Sequence, residues 1–228
     1  MKSVIELKSV SKTYGRGETK VEAVVDASLK IHEGDFAAIV GPSGSGKSTL
    51  LHLIGGLDVA SSGEILLAEK RLSQISGKDL SEFRRDHIGF VFQSFNLIPV
   101  LTVAENVEYV LLLQGKSAAE RRRRVQAMLE ELGLADKMHR RPAELSGGQQ
   151  QRVAVARAMV SEPSIILADE PTANLDSKMA LELVTMMKNL NQSEGRTFLF
   201  STHDKTIMKV ANRVITLQDG KVKSDDHS

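Results

Sequence analysis

The sequence has no cysteine, so it can form no disulfide framework, no thiolate metal site and no cysteine nucleophile, which suits a reducing compartment. It also lacks an excess of either charge: 30 Lys and Arg stand against 29 Asp and Glu. A chain so balanced spreads no global basic field, and no nucleic-acid partner is expected. Long apolar runs are missing as well. None approaches the roughly 18–20 residues that a membrane span needs, and the start, Met1 to Glu6, lacks the apolar core of a signal peptide. The chain is therefore expected to be soluble by itself and to reach any membrane through a partner. Tyrosine is scarce, with two in 228 residues, so Tyr14 stands out. That length suffices for one large domain or a domain with a subdomain.

What is present is organised around Gly41-Pro42-Ser43-Gly44-Ser45-Gly46-Lys47-Ser48-Thr49. The apolar run Phe36–Val40 precedes it and Leu50–Ile54 follows, which reads as strand, glycine-rich turn and helix. This is the P-loop spacing. Its glycines let successive backbone amides point inward at phosphate oxygens, and the helix adds its positive end. Lys47 can reach the β- and γ-phosphates, and the Ser48 hydroxyl can ligate Mg²⁺. The expectation is a nucleoside triphosphate site.

Before the P-loop, Val4–Lys8 alternates as a half-exposed strand and Val21–Ile31 is rich in β-branched residues, closed by Glu33-Gly34-Asp35. Together they predict an antiparallel flap. Tyr14 within it fits two roles, a ring stacked on a purine base or an edge-strand aromatic packed on the flap. After the P-loop helix, Glu64–Leu67 reads as a short strand and Leu80–Arg85 as a helical turn. The strand His87–Phe92 ends at Gln93, where α/β proteins place ligand contacts; Gln93 is a candidate for Mg²⁺ or an attacking water, against the plainer reading of a strand-end residue. From Ser94 to about Val160 the pattern is helical. It holds an apolar loop (Phe95, Leu97–Leu101), a helix over Val103–Leu113, and a second helix opened by Ser117 with capping-box spacing to Glu120. Arg121–Arg124 are consecutive and point in different directions round that helix, so most of them read as a solvated face, with anionic lipid head groups the sharper alternative.

A second glycine pair follows in Leu145-Ser146-Gly147-Gly148-Gln149, at the start of the helix Gln150–Met159. Such a helix start is open to an anion, although the P-loop already serves the nucleotide. The two meet on one nucleotide if they come from different subunits or if the insert folds back; a ligand-free cap is the plain alternative. Ile165–Ala168 reads as a strand buried on both faces and ends in Asp169-Glu170. Carboxylates there are costly without work to do: Asp169 for Mg²⁺, and Glu170, turned the other way, for a water nucleophile. Asp176 or Ser177 can cap the following helix. The strand Thr197–Thr202 ends in His203, placed to contact a γ-phosphate. Val214–Leu217 is a last strand, and the polar tail Ser224–Ser228 is expected to fray.

With these residues placed, the chain resembles the ATP-binding-cassette (ABC) ATPases over nearly its whole length. The order of parts agrees: Tyr14, Walker A at Gly41–Thr49, the Q-loop Gln93, the signature Leu145–Gln149, Walker B at Ile165–Glu170, the D-loop Ala173–Asp176 and the switch His203. The resemblance implies an α/β fold, a P-loop NTPase cassette with a RecA-like parallel-sheet core (1–93 and 161–228), an N-terminal antiparallel β subdomain and a helical insert (94–160), within a single domain over 1–228. It implies two copies packed head-to-tail, each ATP lying between one P-loop and the other copy's signature. Tyr14 then stacks on adenine, and Ser48, Gln93 and Asp169 serve Mg²⁺. Glu170 is the catalytic base and His203 senses the γ-phosphate. Ser146, Gly147, Gly148, Gln149 and Asp176 complete the ATP site. The D-loop reads Ala-Asn-Leu-Asp where many relatives have Ser-Ala-Leu-Asp, which leaves the contact of Asn174 open.

A finer likeness, to the LolD- and MacB-like lipoprotein-release and macrolide-exporter group, rests on Leu53–Asp58, Phe92–Pro99 and Ala168–Asp176. It implies a cytoplasmic-face ATPase driving a membrane subunit that works mechanically beyond the membrane, with Phe95–Leu101 as the socket for that subunit. Two alternatives stay open: an ATPase regulating a periplasmic cell-wall enzyme through a membrane partner, and a soluble non-transport ABC ATPase, which this chain has little room to be.

Overall fold

The computed structural model describes residues 2–227. In chain order the elements are β1 (Ser3–Tyr14), β2 (Val21–His32), β3 (Phe36–Val40), α1 (Lys47–Ile54), β4 (Ser62–Leu67), β5 (Lys70–Arg71), α2 (Gly77–His87) and β6 (Ile88–Val91). There follow α3 (Val103–Leu113), α4 (Ala118–Glu131), α5 (Gly147–Met159), β7 (Ile165–Asp169), α6 (Ser177–Glu194), β8 (Phe198–Ser201), α7 (Lys205–Val210), β9 (Arg213–Gln218) and β10 (Lys221–His227). The strands form two sheets, an antiparallel one in the order β2-β1-β4-β5 and a larger one in the order β10-β9-β3-β8-β7-β6. In the larger sheet every pair is parallel except β9 with β10.

The expected parallel core and antiparallel flap are therefore both present. The apolar runs explain them. All five residues of β3 are buried, because helices cover one face of the sheet and the smaller sheet with α1 covers the other. Alternation sorts the side chains: Phe36, Ala38, Phe198 and Phe200 join the cluster with α3, α5 and α6, while Ala37, Ile39, Leu199 and Leu167 join the one with α1, β1 and β2. The Phe36 ring lies 4.7 Å from that of Phe200 and 5.4 Å from that of Phe198. Each such buried side chain contributes about 1.5–3 kcal/mol.

Three details depart from the sequence reading. Residues 80–85 belong to the 11-residue helix α2; its apolar face is so narrow that only Phe83 is buried, which hid its length. Ser117 does cap α4, accepting the Glu120 amide, but the Glu120 carboxylate turns to Arg124 at 3.1 Å and Lys116 at 3.5 Å. Of the four arginines, Arg121 pairs with Glu108 at 2.7 Å and Arg124 with Glu120, which leaves Arg122 and Arg123 on the solvated face.

The tail is the main correction. Residues 224–227, expected to fray, lie within β10, an edge strand paired along its length with β9. Arg213, buried at 3% exposure, donates to both carboxylate oxygens of Asp225 at 2.7 Å and to Asp35 at 3.1 Å. A polar pair holds this strand where no apolar alternation announced one. Ser228 lies outside the described residues.

Parallel strands put their carboxyl ends along one edge. The segments that follow β3, β6, β7 and β8 thus converge, and they carry the P-loop, Gln93, Asp169-Glu170 and His203.

Candidate active site

The P-loop is shaped by contacts that only glycine permits. Gly41 has φ 153° and a Cβ there would lie 2.1 Å from the Leu217 carbonyl oxygen; Gly46 has φ 98° and would meet the Ala23 carbonyl at the same distance. The loop is wedged between β9 and β2. Gly46 also caps α1 without a side chain, so the first amides of the helix are left for another partner. Beneath them the Ser45 hydroxyl is buried and unpartnered. Lys47, only 8% exposed, donates from Nζ to the Gly41 and Pro42 carbonyls, each at 3.0 Å.

At the second residue of α1 the Ser48 hydroxyl donates to Asp169 Oδ1 at 2.9 Å, and one turn on His52 Nε2 stands 3.7 Å from the other oxygen. Serine and histidine at this spacing share a helix face. His52 escaped the sequence reading, since its contact lies 117 residues away. Glu170, one residue past the end of β7, turns to a different partner from Asp169. Its backbone is left-handed, φ 45°, held by a hydrogen bond that its N–H donates to the Ser201 carbonyl at 2.8 Å. Its carboxylate lies 2.8 Å from His203 Nδ1 and accepts from the Thr202 hydroxyl at 3.2 Å. A non-glycine residue in this region costs of order 1–3 kcal/mol, and such strain gathers at functional sites.

These groups share one open cleft of about 560 Å³, lined by Val21–Ala23, Gly41–Gly44, Gly46–Thr49, Gln93, Glu170, Ala173 and His203. Hard oxygen donors, the Ser48 hydroxyl and the Asp169 carboxylate, meet at 2.9 Å, and Gln93 lines the same cleft as Ser48, a set that fits Mg²⁺ together with nucleotide phosphates. Among the described residues no group of three or more His, Cys, Asp or Glu side chains forms a ready metal cage, so phosphate oxygens and water would supply the remaining ligands.

Ser146, Gly147, Gly148 and Gln149 lie apart from this cleft. Ser146 and Gln149 close a full capping box on α5, and Ser146, Gly148 and Gln149 line a separate hollow of about 250 Å³ with Arg152, Met179 and Glu182. The chain alone does not bring its two glycine-bearing helix starts together. Asp176 is likewise outside the cleft lining: its Oδ1 accepts the Lys178 and Met179 amides, capping α6. Tyr14 sits at the cleft margin, its Cα paired with that of Val21. Its hydroxyl donates to Asp58 Oδ2 at 2.6 Å, and burial followed by that carboxylate pushes the phenol above its ordinary pKa.

The loop after Gln93 is pinned from two sides. Asn174 Nδ2 donates to the Gln93 carbonyl at 2.8 Å, which settles the contact left open by the sequence. Arg157 on α5 donates to the carbonyls of Phe95 and Asn96, where the chain turns left-handed with φ 58° and 51°. Burial pulls this guanidinium below the usual arginine pKa, and carbonyl oxygens stand where a counter-ion would.

Residues 24–173 match the family model described as ABC transporter. An uncharacterised ABC transporter ATP-binding protein of Thermotoga maritima is 45% identical over 98% of this chain and 95% of its own. The MacB macrolide export ATP-binding/permease protein of Hyphomonas neptunium is 45% identical over 97% of this chain, which spans only 34% of that larger protein. Among solved structures, a dimeric post-hydrolysis state of the cassette MJ0796 bound to ADP and Pi superposes with a TM-score of 0.89 at 44% identity, covering 98% of both chains. The cbiO1 subunit of the Clostridium perfringens cbiONQ transporter complex gives 0.89 at 28% identity, over 100% of this chain and 89% of that one. Likeness this deep, over nearly the whole chain in both sequence and fold, makes the chain an ATP-binding cassette, an ATPase of the ABC transporter family.

Proposed function

We propose that the cleft binds Mg²⁺-ATP in the loop Gly41 to Thr49, with Lys47 and the backbone N–H groups of that loop other than Pro42, which has none, on the phosphates. In this reading Ser48, Gln93 and Asp169 hold the metal, whose chemistry there is to offset charge on the phosphate oxygens. Tyr14 lies against the adenine. Glu170 accepts a proton from the attacking water and aims its lone pair at the γ-phosphorus, while His203 hydrogen-bonds a γ-phosphate oxygen. A second copy closes the site head-to-tail, bringing its Ser146, Gly147, Gly148 and Gln149 to the same nucleotide, with Asp176 anchoring the loop between them. A membrane subunit docks at Phe95–Leu101, which places the cassette on the cytoplasmic face of the membrane. No helix among the described residues is long and apolar enough to cross it. The division into a core of 1–93 and 161–228 and an insert of 94–160 belongs to the same reading, the insert carrying the signature. The MacB relatives favour mechanical work on a substrate beyond the membrane.

The observation that carries this reading is the split of the adjacent carboxylates: Asp169 turned to Ser48 at 2.9 Å and Glu170 to His203 at 2.8 Å. One faces the place of the metal and the other the place of the water. Glu170→Gln should keep ATP binding, lower turnover at least about 100-fold and accumulate an ATP-bound dimer on size-exclusion chromatography. Hydrolysis at the wild-type rate would remove Glu170 from the role of base.

A further inference from the structure

Lys12, Tyr14 and Asp58 form a cluster that the catalytic motifs do not use. Lys12 and Tyr14 are two apart on β1 and so share a face of the strand. Asp58 hangs off the end of α1, where the Leu57 and Asp58 amides both return to the His52 carbonyl. The three meet closely. Lys12 Nζ donates to Asp58 Oδ1 at 2.6 Å and to the Val59 carbonyl at 2.8 Å, and it stands 4.7 Å from the centre of the Tyr14 ring. The Tyr14 hydroxyl donates to the other oxygen of Asp58 at 2.6 Å.

The lysine side chain is only 12% exposed and the aspartate 29%. A cation that withdrawn from water, paired and seated on an aromatic face, is an ordered part of the structure rather than a surface ion pair. Burial opposes ionisation of Asp58, yet the bonds from Lys12 and Tyr14 hold its carboxyl below the ordinary aspartate pKa. It is therefore charged at neutral pH and keeps both donors. The ring itself stays 43% exposed. With Lys12 over one face, a flat ligand would have to stack on the other.

We propose that Asp58 and Lys12 are positioning residues for the nucleotide base: Asp58 ties the Tyr14 hydroxyl to the end of the P-loop helix, and Lys12 occupies the back of the ring so that a base stacks on the front. This inference rests on the reading of Tyr14 as the neighbour of adenine. It couples base and phosphate sites through one rigid element, because the helix that presents Lys47 and Ser48 at its start carries the tether at its end. A cation behind the ring also withdraws π density, which favours an electron-rich purine on the free face.

The test uses the purified full chain and compares ATP with Mg²⁺-tripolyphosphate, which has the phosphate contacts and no base. Asp58→Asn and Lys12→Met should each raise KM for ATP about threefold to tenfold, with kcat within twofold and inhibition by tripolyphosphate unchanged. Lys12→Arg, which keeps the cation, should restore most of the loss. Backbone ties at Ser11, Thr13 and Ser61 hold β1 against this segment independently of the cluster, so the variants should fold. Equal weakening of ATP and tripolyphosphate would mean a structural effect on α1 and overturn the proposal. A Tyr14→Ala variant separates the two readings. If it weakens ATP but Asp58→Asn does not, the positioning role alone fails; if Tyr14→Ala leaves ATP unaffected, the base reading fails and takes the proposal with it.

Discussion

Asn174 joins two loops with a single amide. Its donor reaches the backbone of Gln93 rather than its side chain, so it fixes where that glutamine starts and leaves its amide free to face the cleft. Loss of such a bond to an exposed group costs about 1 kcal/mol. Asn174→Ala should therefore lower kcat roughly fivefold while KM for ATP stays near the wild-type value, as steady-state kinetics would read. A matching rise in KM would mean that the residue serves nucleotide binding instead. The motif residues at this scale were legible because glycines and charges at strand ends have few reasons to be there. Asn174, His52, Lys12 and Asp58 were not, because each depends on a partner brought near by the fold: 46 residues separate Lys12 from Asp58.

At the scale of elements the strands and long helices were legible wherever burial imposes a period. The run of β3 and the bounds of α3 follow directly from their apolar residues. β10 shows the opposite case, since Lys-Val-Lys-Ser-Asp-Asp-His offers no face to bury and the strand is fixed by Asp225 against Arg213. That guanidinium, with burial opposing it, holds the Asp225 carboxyl below its ordinary value. A depressed folded pKa stabilises above the unfolded value, near 3.9, and the benefit is lost as the pH falls from there through the folded one. Asp225→Asn should thus lower the melting midpoint at pH 7 and flatten its dependence on pH below about 4. An unchanged acid profile would show that β10 is held by its backbone pairing alone.

The molecule as a whole carries two glycine-bearing helix starts, at Gly46 and at Ser146, that line separate hollows. If a second copy joins them, Lys47→Ala and Ser146→Arg should each be inactive, and equal mixtures should recover about a quarter of wild-type activity. Random pairing makes half the dimers mixed, and each mixed dimer has one intact site of two. No recovery would mean that the signature serves its own chain. The wedging of the P-loop has a further consequence, in the order in which the chain becomes competent. Its walls are the Ala23 carbonyl on one side and that of Leu217 on the other, nearly two hundred residues apart. A chain emerging from the ribosome makes the glycine loop before β9 but cannot brace it until β9 arrives. Nucleotide then acts as an inspector of folding: it is held by a chain in which β2 and β9 have already closed on the loop.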